Sequence, residues 1–364
     1  MREQIGEPVD EMDADTPRCE APRFTVLDPT EDRSWHRFVL EHPEALIFHH
    51  PAWLALLRQQ YGFKTFAACI VRNGVVTAGI PLCEVRSPFR DVRWVCLPFS
   101  DRCGPLSTSA SDLRILIQSL RLDAQKSARC IQIRSGIEPG TGFETMGGQW
   151  LHTTSLVESP ETILKGLHAD VRRCIKRARA HGLANEIRTD AGAMDAFYDL
   201  HLQTRRRQGV PIQPRRYFVL FLERIVQQGL GFVALTRHGP HCLSAGIFCM
   251  FKETVLYKYG ASHPDGVALF PNYLMLWESM LHARGRKMKL FDFGKTAEDN
   301  EGLRFFKNKW NTEESALSYS YFPEAPSSGL HDALLSRLLK PMIQRSPRFV
   351  CRLSGEMLYK HFAS

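Results

Sequence analysis

The chain has 364 residues, 44% of them hydrophobic, and a formal net charge of +8. This length exceeds what one hydrophobic core usually serves, so two domains or two similar packed halves are expected. No window approaches the roughly 18 consecutive apolar residues of a membrane-spanning helix. The basic balance favours polyanionic partners, namely phosphates, nucleic acid or an anionic membrane surface.

The first 22 residues are polar and acidic and contain no apolar stretch of the signal-peptide type, so a disordered tail is predicted for residues 1–22. The ten cysteines are scattered, and none has metal-clip or redox-motif spacing. Reduced thiols in the cytoplasm are the simplest interpretation. His49 and His50 are adjacent at the start of a predicted helix, so their side chains face different directions. This arrangement disfavours a metal site.

Residues 23–157 alternate short apolar runs with helical patterns and are predicted to form an α/β domain. Pro51 opens a helix in the position that proline prefers. Asn73 and Gly74 predict a hairpin between two strands. A further strand leads to Asp101, which is either a carboxylate that caps a turn or a residue of a site.

Residues 158–326 begin with one predicted helix, opened by Ser159 and Pro160 and ended before Gly182. Its polar faces carry a basic run that includes Arg172. A solvated helix face and a phosphate-binding surface both explain such a run.

The next predicted helix ends in three consecutive arginines: Arg205, Arg206 and Arg207. Arginines there oppose the helix dipole, and they also offer the forked donors that match a phosphate. An antiparallel meander of three strands follows, and Tyr257 and Tyr259 lie on one face of its last strand. A helix from Pro271 and a strand from Lys289 complete the order helix, three strands, helix, strand.

The run Leu290–Phe293 predicts a core strand that ends at a functional edge. Asp292 lies within this run, and a buried carboxylate is costly unless it is paired. We therefore expect it to hold a backbone turn, Lys295 or a substrate amine. Lys307 lies among Phe305, Phe306 and Trp310, so its stem is expected to be packed and its ammonium to be held as a fixed charge.

The sequence Phe-Asp-Phe-Gly at 291–294, a following basic residue, and the later Gly302 and Phe306-Lys307 resemble the end of the acyltransferase module of Fem-type peptidoglycan-bridge aminoacyltransferases, in the GNAT superfamily. The Pro-Phe-Ser-Asp segment at 98–101 and the stretch at 205–214 are similar too, most of all to members of exopolysaccharide loci that use PEP-CTERM sorting. The resemblance implies two packed GNAT-like domains, residues 23–157 and 158–326, of mixed sheets flanked by helices. A basic amphipathic helical tail at 327–364 follows, which is expected to pack on the body or to touch a membrane surface.

Acyl transfer to an amine needs a group that stabilises the developing oxyanion, and Lys307 is the candidate for it or for a donor phosphate, as the resemblance supports. Asp292 and Tyr259 would position or desolvate the amine, and Lys295 would hold a phosphate. The resemblance further implies substrate binding by Asp101, Arg172 and one of the three arginines Arg205, Arg206 and Arg207.

The sequence contains no Gly-x-Ser-x-Gly nucleophile motif, which favours direct attack on the donor. It also lacks, before Pro271, the glycine-rich loop that holds the pyrophosphate of coenzyme A. Aminoacyl-tRNA and acyl-CoA both remain open as donors, and no bound cofactor is predicted. The expected acceptor is a phosphate-bearing cell-envelope precursor, peptidoglycan or exopolysaccharide, with tRNA as a partner, in the cytoplasm or at the inner membrane face.

Two other functions fit the same residues. One is an acyl-CoA-dependent N-acetyltransferase that acts on a small amine or amino sugar. The other is a non-enzymatic basic module that binds nucleic acid or an anionic glycan. The position of Asp292, Lys295 and Lys307 in one block favours a site over a diffuse basic patch.

Overall fold

The computed structural model describes residues 21–86, 92–127, 129–325, 340–347 and 351–352. The strands are β1 (Arg23–Leu27), β2 (Lys64–Arg72), β3 (Val75–Arg86), β4 (Val92–Cys96), β5 (Leu106–Ser107), β6 (Cys130–Ile133), β7 (Glu144–Ser155), β8 (Ala184–Arg188), β9 (Gly231–His238), β10 (His241–Phe251), β11 (Thr254–Ser262), β12 (Leu290–Ala297) and β13 (Glu313–Phe322). The α-helices are α1 (Arg33–Glu41), α2 (Pro51–Tyr61), α3 (Ala110–Lys126), α4 (Pro160–Gly166), α5 (Ala169–Ala180), α6 (Ala191–Gln208), α7 (Arg215–Phe221), α8 (Pro271–Gly285) and α9 (Glu301–Asn308).

All these strands belong to one sheet with the order β1-β2-β3-β4-β6-β13-β7-β12-β11-β10-β9-β8, and β5 pairs with β3 at the side. The strand order consists of two similar halves that run in opposite directions across the sheet. The last strand of each half pairs with a strand of the other half. The first half's β7 pairs with β12 of the second half, and the second half's β13 pairs with β6 of the first. The α/β fold with flanking helices is thus confirmed. The predicted boundary near residue 157 falls between β7 and α4, and the domain limits stay a prediction.

Two hydrophobic cores lie against this sheet. The first core joins the halves, since it includes Trp53 of α2 together with Phe197 of α6 and Phe221 of α7. The second core belongs to the second half and is built on α4, α5, α8 and the strands β9 to β12, with Trp277 and Trp310 buried in it. Because one core spans both halves, neither half buries its apolar surface alone.

Local sequence chemistry sets several boundaries, and the helix start at Pro51 and the hairpin at Asn73-Gly74 are as predicted. Pro51 is the first residue of α2, and Gly62 ends that helix in the left-handed conformation at φ 70°. Asn73 and Gly74 both have positive φ, which joins β2 to β3 in a tight hairpin. Gly209 ends α6 in the same way as Gly62 ends α2.

Two local expectations are wrong. The single helix predicted between Pro160 and Gly182 is two helices, because Leu167 and His168 are extended and the His168 side chain caps α5 by accepting a hydrogen bond from Asp170 N. The segment around Lys307, interpreted as an aromatic turn, is the helix α9, which Asn300 caps through Leu303 N.

The parallel strands β11 and β12 separate after a short contact. They pair only at Thr254–Leu256 with Leu290–Asp292. Beyond this point β12 contains a bulge, because its register against β7 shifts between Asp292 and Lys295 and Gly294 has φ 71°. The strands diverge there, as the predicted order of elements implies, and the opening is called the strand gap below.

The predicted N-terminal tail, 1–22, lies almost wholly outside the described residues. Of the predicted C-terminal tail, 327–364, the described part packs on the body: Ile343 and Cys351 are buried in the first core, and Gln344 Nε2 donates a hydrogen bond to Arg207 O. Among the described residues, none of the helices has the length and apolar character required to cross a bilayer.

Candidate active site

Charged side chains from both halves meet at the strand gap. We call the following set the charged cluster: Asp101, Arg102 and Arg134 from the first half, and Lys258, Asp292, Lys295 and Lys307 from the second. Cations outnumber carboxylates in this set by five to two. The site therefore exists only when the two halves are packed together.

Lys307 is the deepest cation of the charged cluster that has no carboxylate in direct contact. Its side chain is 4% exposed, and its ammonium donates hydrogen bonds to Gly294 O at 2.8 Å and Lys295 O at 3.1 Å. The β12 bulge provides these acceptors, since a bulged residue is left out of the strand pairing. Burial lowers the pKa of Lys307 to about 8, against the opposing effect of Asp101 and Asp292. Its third N–H has no acceptor among the described residues.

Asp292 holds the bulge and joins the halves. Its Oδ1 accepts a hydrogen bond from Gly294 N at 2.7 Å, and its Oδ2 lies 3.1 Å from Arg102 Nη2. Burial raises the pKa of this carboxyl, although Arg102 and the Gly294 amide favour the ionised form. The turn-holding role expected from sequence is present. Its cationic partner is Arg102, which the sequence analysis did not select.

Asp101 reaches from the first half into the strand gap. Its Oδ2 lies 3.4 Å from the position that a Cβ on Gly294 would occupy, which is an ordinary van der Waals distance, so the preference for glycine comes from its φ of 71°. Lys258 Nζ holds the same carboxylate at 3.2 Å and donates a second hydrogen bond to Phe99 O at 2.8 Å. The ammonium of Lys258 also lies 5.2 to 5.8 Å from the ring centroids of Phe48, Trp53 and Tyr259.

Lys295 is stacked on a tyrosine at the edge of the charged cluster. Its Nζ donates to Tyr319 Oη at 2.9 Å, and the Tyr319 hydroxyl donates to Asp101 O at 2.7 Å. Burial and the nearby Arg134 lower the pKa of Lys295. Burial raises the pKa of Tyr319 to about 12, so this hydroxyl stays protonated and relays a hydrogen bond.

Tyr259 lies beside the charged cluster and does not enter the strand gap. Its hydroxyl is 2.9 Å from the hydroxyl of Tyr217, and its ring packs on His201, Phe218 and Phe221. The structure thus gives it a place in the wall between the halves, next to Lys258. Its predicted role toward the amine stays a prediction.

The predicted arginines lie further from Lys307. Arg205 Nε donates to Pro211 O, and Arg207 donates to Ser262 O at the end of β11. The buried Nε of Arg206 has no partner among the described residues. Arg172 donates to the carbonyls of Lys165 and Leu167 and so caps the end of α4. The structure brings together Asp101, Asp292, Lys295 and Lys307, and it leaves the roles of these four arginines as predictions.

Sequence reasoning missed Arg102, Arg134 and Lys258 of the charged cluster. Lys258 had a usable signal, since it is a lysine between two tyrosines in an apolar strand. Arg102 follows Asp101 directly, yet its partner Asp292 is 190 residues away. No local pattern encodes a pairing of that separation. Within the described part of the chain, no three histidine, cysteine or acidic side chains are grouped so as to hold a metal.

The family described as Acetyltransferase (GNAT) domain matches residues 165–308, which include the strand gap and Lys307. Lipid II:glycine glycyltransferase of Staphylococcus haemolyticus (strain JCSC1435) is 33% identical over 121 residues, 31% of this chain and 29% of that protein. The enzyme of the same name from Staphylococcus epidermidis (strain ATCC 35984) is 31% identical over 112 residues, 29% of this chain and 27% of that protein. The chain thus matches less than a third of the length of these curated relatives.

The solved structure of FemX superposes with a TM-score of 0.67 at 17% identity, over 84% of this chain and 97% of FemX. Residues 165–308 thus match a GNAT domain, and the chain has the fold seen in FemX. A tandem GNAT protein from the clavulanic acid biosynthesis pathway is also similar, with a TM-score of 0.53 at 14% identity over 85% of this chain and 100% of that one. The resemblance seen in the sequence block at 291–310 is confirmed, and the matched residues 165–308 contain both strands that form the strand gap.

Proposed function

We propose that this GNAT protein is an N-acyltransferase that moves an acyl or aminoacyl group onto an amine of a cell-envelope precursor by direct attack. The observation that carries the proposal is the buried Lys307 ammonium. It is anchored by two carbonyl groups of the β12 bulge, and we assign its third N–H to a ligand at the strand gap. A fixed donor in a site of low dielectric is what a developing oxyanion requires.

The reaction assigns distinct tasks to the two halves. The neutral amine nitrogen attacks the acyl carbon, the carbonyl oxygen becomes negative against Lys307, and the bond to the donor's leaving oxygen or sulfur then breaks. The amine proton passes to the Asp101 carboxylate, which is 18% exposed and is held by Lys258 through Oδ2, whereas Asp292 is 6% exposed and has both of its oxygens engaged. Asp292 and Lys295 shape the strand gap in this scheme, and Tyr259 forms its wall.

Aminoacyl-tRNA is the donor that we favour. The helix α8 begins after Phe270, which has φ 61° and no side-chain cap, and its first residue Pro271 lacks an N–H. Arg177 stacks over the Phe270 ring at 4.8 Å, so an aromatic and a guanidinium stand where a coenzyme A loop would offer backbone amides. The net charge of +8 suits a polyanionic donor.

The acceptor that we favour bears a phosphate and an amine. The relatives named lipid II:glycine glycyltransferase act, by that name, on a lipid-linked precursor. The excess of cations in the charged cluster is consistent with a phosphate-bearing acceptor here. A lipid-linked acceptor would bring the chain to the inner membrane face, where the basic tail would contact the anionic surface.

The test offers the purified protein labelled aminoacyl-tRNA and, separately, labelled acyl-CoA, each with cell-envelope precursors, and follows label into the precursor. We expect transfer from aminoacyl-tRNA and none from acyl-CoA. Transfer from acyl-CoA alone would assign the chain to the N-acetyltransferase alternative. The non-enzymatic alternative predicts tRNA or precursor binding without label transfer, and that result would overturn the proposal.

A further inference from the structure

A cavity of about 980 Å³ lies between the two halves. One wall follows the carboxyl ends of the first half's parallel strands: the loop after β4, from Arg102 to Leu106, and Arg134 to Gly136 after β6. The opposite wall includes Thr254 and Leu290, which begin β11 and β12. Ligands of open sheets commonly bind at the carboxyl ends of parallel strands, and the volume is within the usual range for a small-molecule site. Lys307 does not line this cavity.

The surroundings of Arg134 are the first observation that indicates a ligand site in this wall. Its side chain is 7% exposed, yet no carboxylate of the described residues forms an ion pair with it. One nitrogen, Nη1, donates to Ser100 O at 2.5 Å, and Nε is buried without a partner in the described part of the chain. The guanidinium also lies 5.8 Å from the centroid of the Tyr319 ring, but it has no anionic partner among the described residues. A buried cation without an anionic partner is costly, and a bound anion would lower that cost.

The cavity and the charged cluster share Arg102. Its guanidinium has five N–H donors, and among the described residues its acceptor is Asp292 Oδ2. Arg102 and Arg134 therefore bring two forked cations to one wall of the cavity. The wall opposite carries Glu253, which is already paired with Lys289.

The charge balance distinguishes between anions. The residues that line the cavity include four cations (Arg102, Arg134, Lys252 and Lys289) and two carboxylates (Glu44 and Glu253). A single carboxylate ligand leaves an excess of positive charge there, whereas a phosphate or diphosphate removes most of it. Planar guanidinium groups also match phosphate oxygens in pairs.

We propose that this cavity is a second ligand site of the chain, in which Arg102 and Arg134 bind a phosphate or diphosphate group. The two arginines belong to the first half, and Lys307 does not line the cavity, so its occupation does not require turnover. Because Arg102 also pairs with Asp292, a bound phosphate competes with that carboxylate and links the cavity to the strand gap.

The test measures binding of inorganic pyrophosphate to the full chain by calorimetry and by ³¹P NMR, without donor or acceptor. We expect saturable binding that added salt weakens. Arg134→Gln is expected to raise the Kd at least about tenfold, since one charge-assisted contact is lost. Arg114→Gln is the matched control. Its side chain is 72% exposed on α3 and does not line the cavity, so the Kd is expected to stay unchanged.

A second variant covers the case in which Arg134→Gln fails to fold. Ser318 lines the cavity, and Ser318→Phe fills it while keeping every charge. Loss of pyrophosphate binding in Ser318→Phe supports the site. Absence of binding in the unsubstituted chain, or equal binding in the folded variants and the control, overturns the proposal.

Two further probes distinguish the sources of the phosphate. Uridine diphosphate stands for a nucleotide-linked molecule, and geranyl diphosphate stands for a lipid-linked one. The probe that binds more tightly than pyrophosphate, and loses that affinity in Arg134→Gln, identifies the source. Because this measurement uses binding alone, it succeeds or fails independently of the proposed transfer reaction.

Discussion

The two halves place the same pair of parallel strands in the same position and use it differently. In the first half, β4 and β6 stay in register over four residue pairs, and just beyond them Cys103 pairs with Arg134. In the second half, β11 and β12 pair over three residues and then diverge at the bulge. Backbone hydrogen bonds thus keep the chain paired beyond the end of β4 and β6. In the second half, a side chain from the other half enters the strand gap.

Gly294 distinguishes the strand gap of the second half from the corresponding position in the first half. Gly294 at φ 71° turns its carbonyl toward Lys307 and leaves room for Asp101. At the corresponding end of β6 stands Arg134, whose backbone instead joins the bridge to Cys103. Duplicated topology therefore does not duplicate a site, because a site also needs the bulge and the charges around it.

The largest expected effect is at Lys307. If the reaction takes place at the strand gap, Lys307→Ala lowers kcat by roughly 10² to 10³, which is the range for loss of one oxyanion donor. Lys309→Ala is the matched control, because Lys309 is next to α9 but pairs with Asp170 outside the charged cluster. Turnover in the labelled-transfer assay and a melting curve are measured on both. Unchanged turnover in a folded Lys307→Ala protein would remove the assignment.

The pH profile gives the next largest effect. The oxyanion role needs the charged form of Lys307, whose pKa is lowered to about 8 by burial, so kcat/KM should fall about tenfold per pH unit above that value. Lys307→Arg keeps its charge at all these pH values. Its residual activity should therefore lose the alkaline decline. An identical decline in both proteins would assign it to another group.

Much of the fold could be predicted from local chemistry, because the signals lie within a few residues of the boundary they set. Pro51, Gly62 and Gly209 set helix ends in this way, and Asn73-Gly74 sets a hairpin. The exchange of β7 and β13 was not predicted. Strand exchange depends on pairing between distant segments, and Gly147 and Gly148 interrupt the pattern of β7.

The residues of the site also differ in whether a local signal in the sequence identifies them. Asp292 and Lys307 were selected because a charge within an apolar run is costly and must have a partner. The pairs Arg102–Asp292 and Lys258–Asp101 join residues 190 and 157 positions apart, so neither could be found from spacing. The sequence therefore identified the second half's part of the site and missed the contacts that the first half supplies.

Lys258 tests whether the second half holds in place a group that the first half supplies. Lys258→Met removes the ammonium that holds Asp101 and the Phe99 carbonyl, and we expect kcat to fall about tenfold with little change in KM, because the charge-assisted contact is worth about 1.5 kcal/mol or more. Lys258→Arg should restore part of kcat. A merely structural role would instead lower the melting temperature and leave kcat unchanged in the folded fraction.

Gly294 gives the smallest effect and the closest test of the comparison. Gly294→Ala adds a methyl group at φ 71° and 3.4 Å from Asp101 Oδ2, so we expect the free energy of unfolding to fall by about 1–2 kcal/mol and kcat to fall several-fold. Gly302→Ala is the control, since it lies in α9 with open space around its Cβ and should raise the free energy of unfolding by about 0.5–1 kcal/mol. Chemical denaturation and the transfer assay measure both quantities. If the two variants show the same change in the free energy of unfolding and in kcat, the bulge does not distinguish the strand gap from the corresponding position in the first half.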